Sequence, residues 1–121
     1  MTLKEYQDKA MTTCTNSSRN FAYMMLNLVG ELGEFASKIA KGIRKDKLEI
    51  TTNNGLAARI PENELTEYLN ELKKEVGDCL WQLSGLCSVL GWSLEEIAQM
   101  NLDKLADRQK RDVIVGEGDN R

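Results

Sequence analysis

The chain has 121 residues, 41% of them hydrophobic and 29% charged, which are ordinary values for one globular domain with a buried core. Its net charge of −3 and sequence pI of about 5.1 show no basic excess, so we expect no nucleic-acid polymer as a partner. No run approaches the roughly 18 apolar residues of a membrane span, and the N-terminal stretch lacks the apolar core of a signal peptide.

The chain contains no histidine, and this narrows the chemistry open to it. Serine–histidine triads, histidine zinc sites and the Glu-x-x-His pairs of redox di-iron bundles are all excluded. The three cysteines, Cys14, Cys79 and Cys87, have no metal-ligand spacing, and the last two stand roughly 12 Å apart along one predicted helix. A reducing, cytoplasmic location is therefore the simpler expectation.

Apolar residues at intervals of three and four predict four helices. Their ends are marked by serine caps, by the single proline and by glycines. The helices are predicted over residues 3–11, from Ser17 or Ser18 to about Gly42, from Pro61 to Gly91, and from a Ser93–Glu96 capping box to about Lys110.

The segment between the second and third helices is an insertion whose structure the sequence leaves open. Asn54-Gly55 stands between alternating apolar residues, so residues 46–60 fit either a small β-hairpin or a loop. The predicted fold is an all-α, antiparallel bundle of about four helices, completed by oligomerisation. It forms a single domain over residues 1–121, with a core at 17–111 and a tail at 112–121.

Two helices carry a pair of acids at the same spacing. Glu31 and Glu34 lie about 60° and 120° from the centre of one apolar stripe, and Glu75 and Asp78 occupy the same two angles on the other. A single such pair is most often a solvated surface feature. If the helices pack antiparallel, however, four carboxylates converge, and they would need raised pKa values or bound cations. Oxygen ligands without histidine or cysteine suit Mg²⁺, with Mn²⁺ as the alternative.

Each acidic pair encloses a glycine within its predicted helix. Gly33 and Gly77 each cost about 1 kcal/mol relative to alanine in that setting. Both lie on the side of their helix opposite the acids, and we expect a neighbouring backbone to approach closely on that side.

The fourth helix carries a row of polar and basic residues. Asn101, Lys104 and Arg108 lie three and four apart along one edge of its apolar stripe, and Arg111 extends the row with Asp107 available as its ion-pair partner. Solvated surface charges are the simpler interpretation of this row alone. Beside a carboxylate metal site, the same row would bind a polyphosphate.

In this order, the segments "LVGELGEFASKIAK", "ELKKEVGDCLWQL" and "SLEEIAQMNLDKLADRQKR" resemble the MazG-like branch of the all-α nucleoside triphosphate pyrophosphohydrolases. The resemblance covers about residues 17–111, and the terminal "GDNR" is also similar to tails of small members. The insertion is longer than in compact members. The resemblance implies Glu31, Glu34, Glu75 and Asp78 as the metal ligands, and Asn101, Lys104 and Arg108 as phosphate-binding residues.

The resemblance also implies an activity, which is hydrolysis of a nucleoside triphosphate between its α and β phosphates. The products are a nucleoside monophosphate and pyrophosphate, and the substrates would be deoxynucleotides or noncanonical nucleotides. Glu34, with Glu31 as the second candidate, would activate the water. Lys38, one turn beyond Glu34, is a further candidate for substrate binding, although a surface lysine is the simpler interpretation. Homodimers or homotetramers are the expected assemblies.

Recognition of the base is weakly indicated. Asn20, Phe21 and Tyr23 precede the first acidic motif and are candidates for contacts with the base or sugar. Trp81 lies opposite the acids and is expected in the core or a subunit contact, and Trp92 is expected to pack at a helix boundary. The alternative to an enzyme is a non-catalytic helical module that uses the same faces for oligomerisation or protein contacts.

Overall fold

The computed structural model describes residues 1–119, so the last two residues of the "GDNR" tail lie outside the described part. It has four α-helices, a short 3-10 turn and one two-stranded antiparallel sheet, which confirms the predicted all-α class and selects the hairpin over the loop for the insertion. The helices are α1 (Leu3–Met11), α2 (Phe21–Arg44), α3 (Glu62–Val89) and α4 (Leu94–Lys110); the 3-10 turn spans Asn16–Ser18, and the strands are β1 (Leu48–Ile50) and β2 (Leu56–Ala58).

The start of α2 differs from the prediction. Ser17 and Ser18 were expected to cap it, but both lie in the 3-10 turn. The cap is Asn20, whose side-chain oxygen accepts a hydrogen bond of 2.8 Å from the Tyr23 backbone N–H. Asparagine caps as well as serine, so the chain completes one extra turn before the helix begins.

The turn between α3 and α4 follows from Gly91. This residue has a φ of +74°, a left-handed conformation that only glycine adopts without strain. The Trp92 N–H donates to the Cys87 carbonyl at 2.8 Å and the Gly91 N–H to Ser88 at 3.1 Å, the paired bonds of a Schellman motif. Ser93 then caps α4 by accepting from the Glu96 N–H.

Helices α2 and α3 pack antiparallel along most of their length. Met24 near the start of α2 lies against Gly85 near the end of α3, and Gly42 near the end of α2 lies against Tyr68 near the start of α3. Met24 is fully buried, as expected for the centre of this contact. The opposite chain directions bring the two acidic motifs, which lie midway along each helix, to the same level.

Gly42 and Gly85, rather than Gly33 and Gly77, are the closely approached glycines. A Cβ atom at Gly42 would lie 2.5 Å from the Tyr68 hydroxyl, and one at Gly85 would meet the Met24 side chain. At Gly33 and Gly77 such an atom would have nothing within 4 Å. The expected close approach at these two positions is therefore not made within the described chain, because both face away from the α2–α3 contact.

Helix α1 crosses α3 and the start of α4, and a buried glutamine holds it there. The Gln7 amide donates to the Ser88 hydroxyl at 2.9 Å and to the Trp92 carbonyl at 3.0 Å, and its oxygen accepts from the Leu94 N–H at 2.8 Å. The half-buried Trp81 indole donates to the Ala10 carbonyl at 3.1 Å, which confirms its structural role.

Several large apolar side chains remain exposed. Leu26, Val29 and Leu32 on α2 are 60–75% exposed, and the Trp92 ring, expected to pack, is 57% exposed. Helix α4 rests mainly on α1. Within residues 1–119, no helix has the length and apolar character needed to cross a bilayer.

Candidate metal centre

Three carboxylates meet between α2 and α3. Glu31 and Glu34 lie one turn apart on the same side of α2, and Glu75 faces them from α3 because the two helices run antiparallel. One carboxylate oxygen from each of the three lies within 4.8 Å of the other two. This is the spacing of oxygen atoms around a shared cation.

The three carboxylates differ in burial. Glu75 is only 8% exposed, Glu31 is half-buried and Glu34 is exposed. One oxygen of Glu31 and one of Glu75 are fully buried without a hydrogen-bond partner among the described residues. Burial of a carboxylate oxygen with no donor is costly, so a ligand that supplies positive charge would stabilise these two atoms.

The electrostatic environment opposes ionisation of Glu31. Burial raises the pKa of its carboxyl group, and the negative charges of Glu34, Asp78 and Glu75 raise that pKa further. A carboxylate held among like charges is stabilised when a cation joins them. The donor set contains oxygen alone, which fits the hard ions Mg²⁺ and Mn²⁺.

Asp78, the fourth predicted ligand, lies beside the group of three. It is exposed, and its oxygens are outside the 4.8 Å set. Its charge nevertheless contributes to the raised pKa of Glu31 and, after burial, to the raised pKa of the Tyr6 hydroxyl. Asp78 is therefore close enough to Glu31 and to Tyr6 of α1 for its charge to act on both.

Sequence reasoning missed two neighbours of the site, Tyr6 and Cys79. Burial, followed by the charge of Glu31, raises the pKa of the Cys79 thiol and keeps it protonated. For Cys79, the position directly after Asp78 was the only available signal in the sequence. No sequence signal marked Tyr6, because it reaches this region only through the packing of α1 on α3.

Lys38 contacts one of the three carboxylates. Its ammonium nitrogen lies 2.5 Å from the Glu75 carboxylate, whose side chain is 11% exposed. The hydrogen bond to Glu75 is the main cause of the raised pKa of Lys38, with smaller contributions from Glu75, Glu71 and Glu34 as charges. This lysine supplies the positive charge nearest to the carboxylates.

A cavity of about 240 Å³ adjoins the carboxylates on the Lys38 side. It lies at the end of α2 against α3, and Lys47 from the insertion contributes to its wall. The Lys47 ammonium stands 5.7 Å from the centre of the Tyr68 ring, within range of a cation–π contact. The residues that line it are Lys38, Lys41, Gly42, Lys45, Lys47, Tyr68, Glu71 and Leu72.

In the single chain, the basic row on α4 contacts the C-terminal tail rather than the carboxylates. Lys104 and Arg108 both form ion pairs with Asp119 of the tail, at 3.1 and 3.0 Å. Asn101 is exposed, and Arg111 pairs with Asp107 at 2.9 Å as predicted. Within residues 1–119, no hydrogen bond or ion pair joins this row to the carboxylates of α2 and α3.

The candidates for base recognition lie at the start of α2. The Asn20 side chain is engaged as the helix cap. Phe21 and Tyr23 are 55% and 41% exposed, so both rings are accessible, and the Tyr23 hydroxyl accepts a long hydrogen bond of 3.5 Å from Asn27.

The chain is similar to proteins of a known family. The model of the MazG nucleotide pyrophosphohydrolase domain matches residues 19–113. The chain belongs to this family. It is also 36% identical over 106 residues to the Gene 37 protein of Mycobacterium phage L5. The aligned segment covers 88% of this chain and 81% of that relative. No solved structure matches.

Proposed function

We propose that this protein hydrolyses nucleoside triphosphates between the α and β phosphates in a Mg²⁺-dependent reaction, releasing a nucleoside monophosphate and pyrophosphate. Deoxynucleotides or noncanonical nucleotides are the proposed substrates. The observation that carries the proposal is the group of three carboxylates with two buried, unpartnered oxygens, found in a member of the MazG family.

Glu31, Glu34 and Glu75 would hold the metal ion, with Asp78 as a further ligand at the edge of the site. When bound, Mg²⁺ offsets the charge of the phosphate oxygens and lowers the pKa of water. Glu34 is the most exposed of the three and is the proposed acceptor of the proton released by the attacking water, with Glu31 as the second candidate.

The lysines around the cavity would receive the polyphosphate. Lys38 stands next to Glu75, and Lys41, Lys45 and Lys47 place three more ammonium groups at the same cavity. Their combined charge attracts an anion to a protein whose net charge is −3. Lys104 is proposed to bind phosphate from α4, together with Asn101 and Arg108.

The alternative is a non-catalytic helical module. The exposed apolar side chains of α2 favour an assembly of some kind. They are equally compatible with an oligomeric enzyme, however, and a module has no need of convergent carboxylates.

The proposal is tested with a panel of canonical and modified nucleoside triphosphates in the presence of Mg²⁺. Pyrophosphate and orthophosphate are measured separately as they are released. We expect pyrophosphate as the first product. Orthophosphate as the sole first product would refute cleavage between the α and β phosphates, and no turnover of any nucleotide would favour the module.

Substitution of the proposed base is the first sharp prediction. Glu34→Gln should lower kcat by about 100-fold or more, the usual contribution of a general base. Asp78→Asn should lower activity less and raise the Mg²⁺ concentration needed for half-maximal rate. Glu64→Gln, an exposed acid in the first turn of α3, is the matched control. Full activity of Glu34→Gln would overturn the assignment of this residue.

A further inference from the structure

The C-terminal segment folds back onto α4 through two basic side chains. One terminal nitrogen of Arg108 donates to the Asp119 carboxylate at 3.0 Å, to the Asp119 carbonyl at 3.1 Å and to the Gly118 carbonyl at 3.4 Å. The Lys104 ammonium donates to the same carboxylate oxygen at 3.1 Å. A single oxygen of Asp119 therefore joins both cations.

Arg108 is built as an anchor. Its side chain is only 5% exposed, and a buried guanidinium is stable only while acceptors surround it. Two of its acceptors are backbone carbonyls, which any residue at these positions would supply. The segment cannot leave without unpairing the nitrogen that these three bonds share, so this end of the guanidinium is engaged by the protein itself, while the buried Nε–H of Arg108 has no partner among the described residues.

Lys104 is more exposed than Arg108 and keeps donors for another partner. Its side chain is 39% exposed, and an ammonium group has three donors, of which the structure uses one for Asp119. The remaining donors are available to another anion. A lysine side chain is also flexible, and the Asp119 carboxylate beside it, 82% exposed but held by Arg108, restricts the ammonium group and so lowers the conformational entropy that binding would otherwise cost.

We infer that Asp119 is a positioning residue, held by the Arg108 anchor, which orients the Lys104 ammonium for contact with the phosphates of the substrate. This inference rests on the proposed function. It adds a second task to Arg108, which fixes the segment that orients Lys104 in addition to the phosphate contact proposed for it.

The charge state of Asp119 supports this arrangement. Hydrogen bonds from Arg108 and then from Lys104 lower the pKa of the Asp119 carboxyl group, so it is ionised at neutral pH. The opposite role would be that of a competing anion, which must be displaced before phosphate binds. The two backbone carbonyls on Arg108 argue against displacement, since they hold the segment independently of the carboxylate.

The inference is tested by a double-mutant cycle on Asp119 and Lys104 in the full-length chain. Asp119→Asn keeps the shape of the side chain and the carbonyl contacts, so the fold should persist; thermal unfolding checks this. We expect KM for the nucleotide and the dissociation constant of inorganic pyrophosphate with Mg²⁺ to rise about fivefold to tenfold, with kcat nearly unchanged. Asp119→Glu should recover part of the loss.

The coupling between the two residues is the decisive result. In a Lys104→Met background, Asp119→Asn should cause no further change in KM or in pyrophosphate binding, because the group that it orients is gone. Asp112→Asn is the matched control in the same segment and should behave as the wild type. Additive effects of the two substitutions, or a lower KM for Asp119→Asn, would overturn the inference.

Pyrophosphate binding by calorimetry separates this inference from the proposed function. A wild-type protein that binds pyrophosphate with the expected coupling, yet releases none from any nucleotide, would refute the function alone. Turnover of nucleotides without the coupling would refute the role of Asp119 alone. A protein that neither binds pyrophosphate nor turns over nucleotides would refute both.

Discussion

At the scale of single residues, the centre is defined by the unequal burial of its carboxylates. Glu75 combines a buried, unpartnered oxygen with a second oxygen in contact with Lys38, and Glu31 has a buried oxygen and a raised pKa. In the absence of a cation, both ionised carboxylates destabilise the folded chain, because like charges repel in a partly dehydrated site. Exposed Glu34 carries no such cost, which suits a residue that must exchange protons with water.

Stabilisation by metal is the prediction that belongs to this scale. A cation that binds only the folded chain should raise its free energy of unfolding by about 2.7 kcal/mol at 100 times its Kd. We therefore expect the melting temperature of the wild type to rise with added MgCl₂, as measured by differential scanning calorimetry at constant ionic strength. The variant Glu31→Gln/Glu75→Gln should show no such rise.

Glu31→Gln alone should be more stable than the wild type when no divalent metal is present. Two unit charges up to 4.8 Å apart repel by about 1 kcal/mol in a water-like dielectric, and this substitution removes the repulsion while leaving the Lys38–Glu75 ion pair intact. Glu64→Gln/Glu67→Gln changes two exposed acids of α3 and serves as the control. An equal response of the Glu31→Gln/Glu75→Gln variant to Mg²⁺ would place the metal elsewhere.

At the scale of elements, the α2–α3 pair sets the site through its direction and its closest contacts. Gly42 lies against Tyr68 and Leu48, and Gly85 lies against Met24, so the helices meet tightly near both ends of the contact. The acidic motifs lie between these two points. Their register therefore depends on glycines outside the motifs, whereas Gly33 and Gly77 inside the motifs do not take part in the contact.

A comparison of alanine substitutions tests this difference. Gly42→Ala should lower the free energy of unfolding by about 1–3 kcal/mol, because the new methyl group overpacks the contact with Tyr68 and Leu48. Gly77→Ala should raise it by about 1 kcal/mol, because the methyl group meets open space and alanine favours a helix. Urea denaturation gives both values. A concentration-dependent loss of stability in Gly77→Ala would instead indicate that a second copy approaches there.

At the scale of the whole molecule, a single chain leaves much of its apolar surface in water. Leu26, Val29 and Leu32 on α2, Met100 and Leu102 on α4, and Trp92 between α3 and α4 are each more than half exposed. Exposed apolar side chains in this number are typical of a surface that another chain covers. The expected homodimer or homotetramer remains a prediction that this surface supports.

The assembly is tested by placing charges on α2. We expect the wild type to sediment as a dimer or tetramer and Leu26→Glu/Val29→Glu to sediment as a monomer, because carboxylates at a buried contact are costly. Analytical ultracentrifugation over a range of concentrations measures this. The control, Thr66→Glu/Gln109→Glu, introduces the same charges at exposed polar positions. An unchanged mass of the Leu26→Glu/Val29→Glu variant would exclude this face as the interface.

Much of the fold could be predicted because it depends on local rules. The helical period placed α1, α3 and α4, and Pro61 and Gly91 marked two of their ends, whereas Asn54-Gly55 allowed either a hairpin or a loop. The same period placed both acidic pairs on one flank of their helices. The predicted start of α2 was wrong because two possible capping residues, Ser18 and Asn20, lie within three positions of each other, and only the surrounding structure selects one.

Other features depended on how the elements pack, so local rules could not supply them. The sequence treats Glu75 and Asp78 as equivalent acids, yet the rotation of α3 against α2 buries Glu75 and leaves Asp78 at the edge. The meeting of Arg108 with Asp119 likewise needs the tail to turn back over α4. The sequence thus determined which side of each helix could carry the chemistry, because that follows from 3.6 residues per turn. The tertiary structure decided which of those side chains meet, because that depends on contacts between residues far apart in the chain.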